Sequence, residues 1–344
     1  MKLSTGLGYT GDPKQAARRA KDLEAAGIDM IWVAELYSFD AVSILGYLAA
    51  HTERAELASG ILPIYSRTPT LTAMTAAGVD AVSGGRFVLG LGTSGPQVIE
   101  GWHGVPYDKP LTRTREVIDI CRLVWKRERV AYDGEAYHLP LPEGQGTGLG
   151  KPLKIINHPV RDSIPIYIAS LGPKNVEMTA QLADGWLPAF FHPDKADIWK
   201  ADLDRGLARR DSSLEPLQIV AGGTLSICDE DTARKLRDAA RPMTALYVGG
   251  MGAKGRNFYN NVFRRSGYED EAERIQNLYL SGQKSEAEAL VPDDYLAATA
   301  LVGDEGRVRE RIQAYRDAGV TRLTVNPVGD DPLALIEKVK SWVS

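Results

Sequence analysis

Residues 81–92 read AVSGGRFVLGLG: a helix-like close, two glycines, then a run that is apolar or glycine at every position from Phe87. Glycine suits the left-handed backbone just past a helix end, and an unbroken apolar run implies a strand covered on both faces. Three other stretches repeat the transition: DLEAAGIDMIWVAE (22–35), AQLADGWLPAFF (180–191) and AYRDAGVTRLTVNP (314–327). Helix starts are legible too, since Asp12-Pro13 and Asp331-Pro332 set a capping side chain before a proline at the first helical position. Strands alternating with helices predict a mainly parallel sheet. The expected strands are 3–8, 30–34, 56–61, 87–91, 166–169, 186–189, 218–226 and 323–326. Eight strands in this rhythm predict a (β/α)8 TIM barrel with insertion segments.

Two segments break the repeat. Residues 128–163 are rich in Gly and Pro (PLPEGQGTGLGKP) and read as a long loop with a short hairpin; residues 247–293 are polar, partly helical and read as an insertion. Long segments of this kind in compact domains are commonly functional, so both are expected to cover a site. Otherwise 1–344 reads as a single domain with no second core. Of the 344 residues 44% are hydrophobic and 25% charged, enough apolar content to exclude a disordered chain. No apolar run approaches the ~18 residues of a membrane span, and no secretory leader is visible. Two cysteines give no disulfide framework, so a cytoplasmic setting is expected. The net charge of −4 supplies no basic stripe for nucleic acid.

In such a barrel the chemistry sits where the strands end. The residues following the expected strands are Gly8-Tyr9-Thr10, Glu35-Leu36-Tyr37, Ser59-Gly60-Ile61, Gly92-Thr93-Ser94-Gly95, Ser170-Leu171-Gly172-Pro173-Lys174 and Phe190-Phe191-His192. The Gly92 turn offers hydroxyls and close backbone approach. The Gly172 turn opens a helix, whose first amides suit an anion. Plain tight turns are the alternative at both. None of the five histidines forms an i,i+4 pair, so no metal site is expected. His103, in EGWHG (100–104), reads either as pocket lining or as loop packing.

RTPTLTAMTAAGVDAVSGGRFVLGLGTSG (67–95) resembles the signature of the bacterial luciferase-like monooxygenase superfamily: Arg-x-Pro, a helix ending Asp-x-x-Ser-x-Gly-Arg, then a Leu-Gly-Leu-Gly strand. The resemblance continues through KPLTRTREVIDICRLVW (109–125) and IPIYIASLGPKNVEMTAQLADGWLP (164–188). WVAELYSFDAVSILGYLAA, ASGILP and ASLGPKNVEMTAQLADGW are similar to the branch that uses the deazaflavin coenzyme F420.

The resemblance implies a (β/α)8 oxidoreductase that moves a hydride between F420 and a small organic substrate, with FMN as the alternative cofactor. It implies that Glu35 meets the ring system, and that the strand end at Ser59 leads into a non-prolyl cis peptide, Gly60-Ile61, behind the ring. The coenzyme phosphate would be held by Thr93-Ser94 and by Gly172-Pro173-Lys174, with Gly92, Ala169, Ser170 and Leu171 also at the cofactor. Lys174 reads either as a partner for the coenzyme's acidic tail or as a surface lysine. Glu35, Tyr37 and His103 are the expected proton-handling residues, with Glu100 a further candidate. Related dehydrogenases carry an acid in a Gly-Thr-Gly-Glu turn; here the turn reads Thr93-Ser94-Gly95-Pro96-Gln97, which leaves a reductase or an oxygenase open. The alternatives are a reduced-FMN two-component monooxygenase and a non-catalytic flavin-binding barrel. The family commonly forms homodimers. Ile44, Leu48, Ile118 and Leu123 read either as a dimer face or as positions facing the sheet.

Overall fold

In the computed structural model, which describes residues 1–8, 11–252 and 254–344, each strand of the main sheet runs parallel to its neighbours. The barrel strands are β1 (Lys2–Gly6), β2 (Met30–Val33), β3 (Glu56–Ser59), β4 (Phe87–Gly92), β5 (Ile166–Ala169), β6 (Gly185–Leu187), β7 (Gln218–Ile227) and β8 (Arg322–Pro327). They pair in chain order, and β8 closes the ring by returning to β1 at Lys2↔Arg322. This is a TIM barrel, and its strands match the expected ones to within about two residues at each end.

Side chains alternate across each strand. On β2, Met30 and Trp32 face the lumen with Ala58, Val88, Tyr167 and Val220, whereas Ile31 and Val33 join the larger cluster beneath the helices. The strands' N-terminal ends are closed by Arg322, which is 6% exposed, pairs with Glu56 and lies 5.8 Å from the Tyr167 ring. Gly27, Gly84 and Gly319 take positive φ as the helix-stop reading requires. Gly185 does not: it lies inside β6, and a Cβ there would stand 2.5 Å from the Tyr167 ring. Asp12 and Asp331 cap their helices by accepting from the amides of Lys14 and Ala334. Ile44, Leu48 and Ile118 belong to the barrel cluster and so face the sheet, while Leu123 is half-buried.

The 128–163 segment carries one short antiparallel hairpin, Tyr132–Asp133 with His138–Leu139. After β7 the chain builds helices that include Phe258–Arg265, Glu269–Leu280, Lys284–Ala289 and Asp293–Thr299. A short strand, Leu301–Gly303, then pairs with the end of β7. Contrary to the sequence reading, these helices hold a core of their own, with Val248, Phe263, Tyr268, Ile275, Ala287 and Tyr295 buried together. These residues come from short apolar stretches of separate helices, so no long apolar run announces them. Among the described residues no helix is long and apolar enough to cross a membrane.

Candidate active site

The ends of β2 to β6 surround one mouth of the barrel. Glu35 leaves β2 only 9% exposed, and its two oxygens are gripped by the Arg67 guanidinium at 2.5 and 2.9 Å. The amide of Ala41 adds a third donor at 3.0 Å, which ties the same carboxylate to the start of the helix Ala41–Ala49. A carboxylate forked to arginine is a fixed anion. Glu35 therefore stands at the mouth as an acceptor with its oxygens engaged, and Arg67, absent from the expected site, is its partner. The Arg-x-Pro triplet is the signal that marks Arg67. Tyr37, two residues on, is exposed and lies 6.3 Å from the Trp102 ring.

The bond between Gly60 and Ile61 is cis, in the bulge between β3 and its two-residue continuation Leu62–Pro63. Trp32 packs behind the bulge, 3.3 Å from where a Cβ on Gly60 would lie. The Ser59 hydroxyl is not free for a ligand: it donates to the Gly90 carbonyl and accepts from the Gly90 amide, both at 2.9 Å. Gly92 is closely packed: a Cβ there would press on Ile61 at 3.1 Å and on Ala169 at 3.4 Å. Ser94 turns the chain with φ 56°, and Thr93 donates to the Ser94 carbonyl at 3.3 Å.

Just past β5, Ser170 is buried, with its hydroxyl 2.8 Å from that of Thr179 and its carbonyl accepting from the Trp186 indole at 2.9 Å. Leu171 and Gly172 are half-buried, and Pro173 and Lys174 are exposed. Gly172 caps the helix Pro173–Leu182 without any side-chain hydrogen bond. Pro173 has no amide hydrogen, and the amides of Asn175 and Val176 both donate to the Gly172 carbonyl at 2.9 Å, which leaves the Lys174 amide for an outside acceptor. Beside it, the buried Asn175 Oδ1 lacks a donor.

His103 is half-buried with its Nε2 enclosed and unpartnered. Glu100 accepts from the Tyr107 amide at 3.2 Å. Tyr9 and Thr10 lie outside the described residues.

A tyrosine wall at this mouth was invisible in the sequence. Tyr107 stacks on Tyr65 at 5.1 Å and reaches the Thr93 side chain. Opposite it, the insertion contributes Tyr247 and Tyr259, 4.7 Å apart, and both lie 5.6 Å from Phe190. Burial raises the pKa of Tyr107 and pushes that of Tyr259 up to about 12, with Tyr247 and Tyr107 adding to the rise at Tyr259. Both phenols are thus protonated donors at neutral pH. Beyond Phe190, β6 and β7 pair only at Gln218 and Ile219, and a cavity of about 340 Å³ opens where they separate. Phe190, Phe191, Thr224, Thr299 and Thr324 are among its walls. The Cβ-free strand end at Gly92 and the helix start at Gly172 follow adjacent strands.

Residues 1–322 match the family model of luciferase-like monooxygenases. A Mycobacterium tuberculosis protein named as a coenzyme F420-dependent oxidoreductase is 43% identical over 330 residues, 94% of each chain. The 5,10-methylenetetrahydromethanopterin reductase of Archaeoglobus fulgidus is 32% identical, over 98% of this chain and 97% of its own. Among solved structures, the coenzyme F420-dependent tetrahydromethanopterin reductase of Methanopyrus kandleri superposes with a TM-score of 0.78 at 25% identity, covering 98% of this chain and 97% of that one.

Proposed function

The chain belongs to the luciferase-like monooxygenase family, in its F420-dependent oxidoreductase branch, and from that premise we propose that it transfers a hydride between coenzyme F420 and a small organic substrate. The observation that carries the reading is the Lys174 amide, unengaged at the helix start after Gly172, beside the Ser94 turn and the Cβ-free strand end at Gly92. The Lys174 amide would hold the phosphate and the Gly92 strand end the ring edge, with Ile61 and Trp32 behind the ring. The coenzyme supplies the hydride chemistry when bound. The protein orients the two reactants and excludes water.

Glu35 acts in this reading as a positioning residue: it fixes Arg67 and the Ala41 helix start at the rim. Proton transfer falls to a phenol. Tyr107, reaching Thr93 at the end of β4, is the proposed donor, and Tyr259 closes the site from the insertion. Tyr37 and His103 are carried as substrate-facing residues, and Lys174 as a partner for the coenzyme's acidic tail. The cavity beside Phe190 and Phe191 leaves room for a substrate, which favours catalysis over cofactor storage. The expected homodimer would have to use other positions, such as the exposed Leu71 and Met74 on the helix Pro69–Val82.

Tryptophan fluorescence followed during separate titrations with F420 and FMN tests the reading. Binding of F420 alone supports it. Binding of FMN alone moves the chain to a two-component monooxygenase, and binding of neither removes the cofactor assignment.

A further inference from the structure

The insertion forms a second cavity of about 250 Å³. It lies between the turn at Lys254, the helix Phe258–Arg265 and the helix Glu269–Leu280. Two buried amides frame it and have no donor to spare. Asn257 donates to the carbonyls of Tyr247 and Val248 and accepts from the amides of Tyr259 and Asn260. Asn260 donates to the carbonyls of Val248 and Ala272 and accepts from Arg264 Nε at 2.9 Å.

Among the other walls, the cations Lys254 and Arg264 stand against the single carboxylate of Glu273. Lys254 rests on a neutral acceptor, Asn277 Oδ1, at 3.0 Å. Arg264 meets its nearest carboxylate, that of the half-exposed Glu273, only at 3.8 Å. Gln276 is 2% exposed, and its Nε2 donates to nothing in the protein. A buried donor left unmade costs about 1–3 kcal/mol, which an anionic oxygen in the cavity would relieve. The space exceeds what one ordered water needs, a water's share of liquid volume being about 30 Å³. The cavity also adjoins the proposed coenzyme site, because Phe258, at the head of the same helix, stands 3.4 Å from a Cβ built on Gly172.

We propose that this cavity binds a carboxylate-bearing ligand, with Lys254 and Arg264 pairing its charge and Gln276 donating to an oxygen. Two sources offer that chemistry: the acidic tail of the coenzyme, if the F420 reading above holds, or a free polycarboxylate. The full chain is titrated with F420, with the same deazaflavin shortened to its phosphate, and, by calorimetry, with citrate. Lys254→Gln and Arg264→Gln are run alongside, the exposed lysine being a change the fold tolerates.

If the tail is the ligand, F420 binds at least tenfold tighter than the shortened form, and each variant erases that preference while leaving the shortened form's affinity unchanged. If the ligand is free, the two coenzyme forms bind alike and citrate affinity falls at least tenfold in each variant. A tail preference or a citrate affinity that both variants retain overturns the assignment, as does the absence of both. Failure of the shortened deazaflavin to bind the native chain defeats the F420 reading alone, and the citrate arm still decides this one.

Discussion

Glu35 and Arg67 are 32 positions apart in the chain, and their side chains are only 8% and 14% exposed. Removing one partner of such a pair strands the other's charge, so Glu35→Gln is expected to cost about 3 kcal/mol in urea unfolding. It should also weaken F420 binding through misplacement of the rim; an unchanged midpoint and an unchanged Kd together would deny the pair any role. Gly172→Asp sets a carboxylate at the helix start where the coenzyme phosphate is expected, and at least a tenfold loss of F420 affinity should follow. Tyr107→Phe removes only a hydroxyl. If that phenol supplies the proton, kcat should fall by about 10²–10⁴ with the Kd for F420 unmoved. Equal losses in kcat and binding would instead make Tyr107 a packing residue.

Between β3 and β4 the sheet is drawn unusually close. A Cβ on Gly90 would lie 1.8 Å from the Ser59 carbonyl oxygen, and the Ser59 hydroxyl bridges both backbone groups of Gly90. Gly90→Ala must therefore push these central strands apart, and the expected outcome is loss of the cooperative thermal transition; a native-like melt would show the bulge to be pliable. Gly185→Ala presses on the Tyr167 ring, where the neighbour is a side chain, and about 1–3 kcal/mol is expected. Elements of this kind were readable because a parallel strand buried on both faces must be an apolar run, and the barrel then dictates which residues stand at its mouth. Glu35, Gly60 and Gly172 follow from that logic. Arg67 as the partner of Glu35 does not, since nothing local links the two. Nor do Ser59 and Ser170, whose hydroxyls look available in sequence and are taken up by Gly90 and Thr179. Tyr247 and Tyr259 sit in a polar segment whose buried positions keep no period, and only the folded insertion brings them to Phe190.

At the scale of the molecule, the barrel and the insertion meet around His192. It leaves the end of β6 with 5% exposure, packs on Tyr268 and Tyr295 of the insertion, and keeps an unpartnered Nδ1. Burial lowers its basicity below the usual histidine value, against the opposing pull of Asp194 and with Lys195, Asp294 and Arg311 also nearby. Asp194 is itself held by Arg311 at 2.6 Å, and Asp294 accepts from the Tyr268 hydroxyl at 3.1 Å. A histidine whose folded-state basicity is depressed takes up its proton more readily in the unfolded chain. Its contribution is therefore complete above the unfolded value of about 6.5 and is lost as pH falls toward the folded one. Protonation would place a charge in the aromatic contact that joins the two cores, so the insertion should loosen before the barrel. Amide exchange at pH 7.5 and 5.5 reads this directly: protection across residues 258–299 is expected to drop on acidification while β2 to β5 hold theirs. In His192→Phe, which keeps the ring packing and cannot titrate, the pH-dependent component of that drop should vanish. If the variant loses protection with acid as the native chain does, the sensitivity resides in the carboxylates that bind Arg311 and Tyr268 rather than in the histidine.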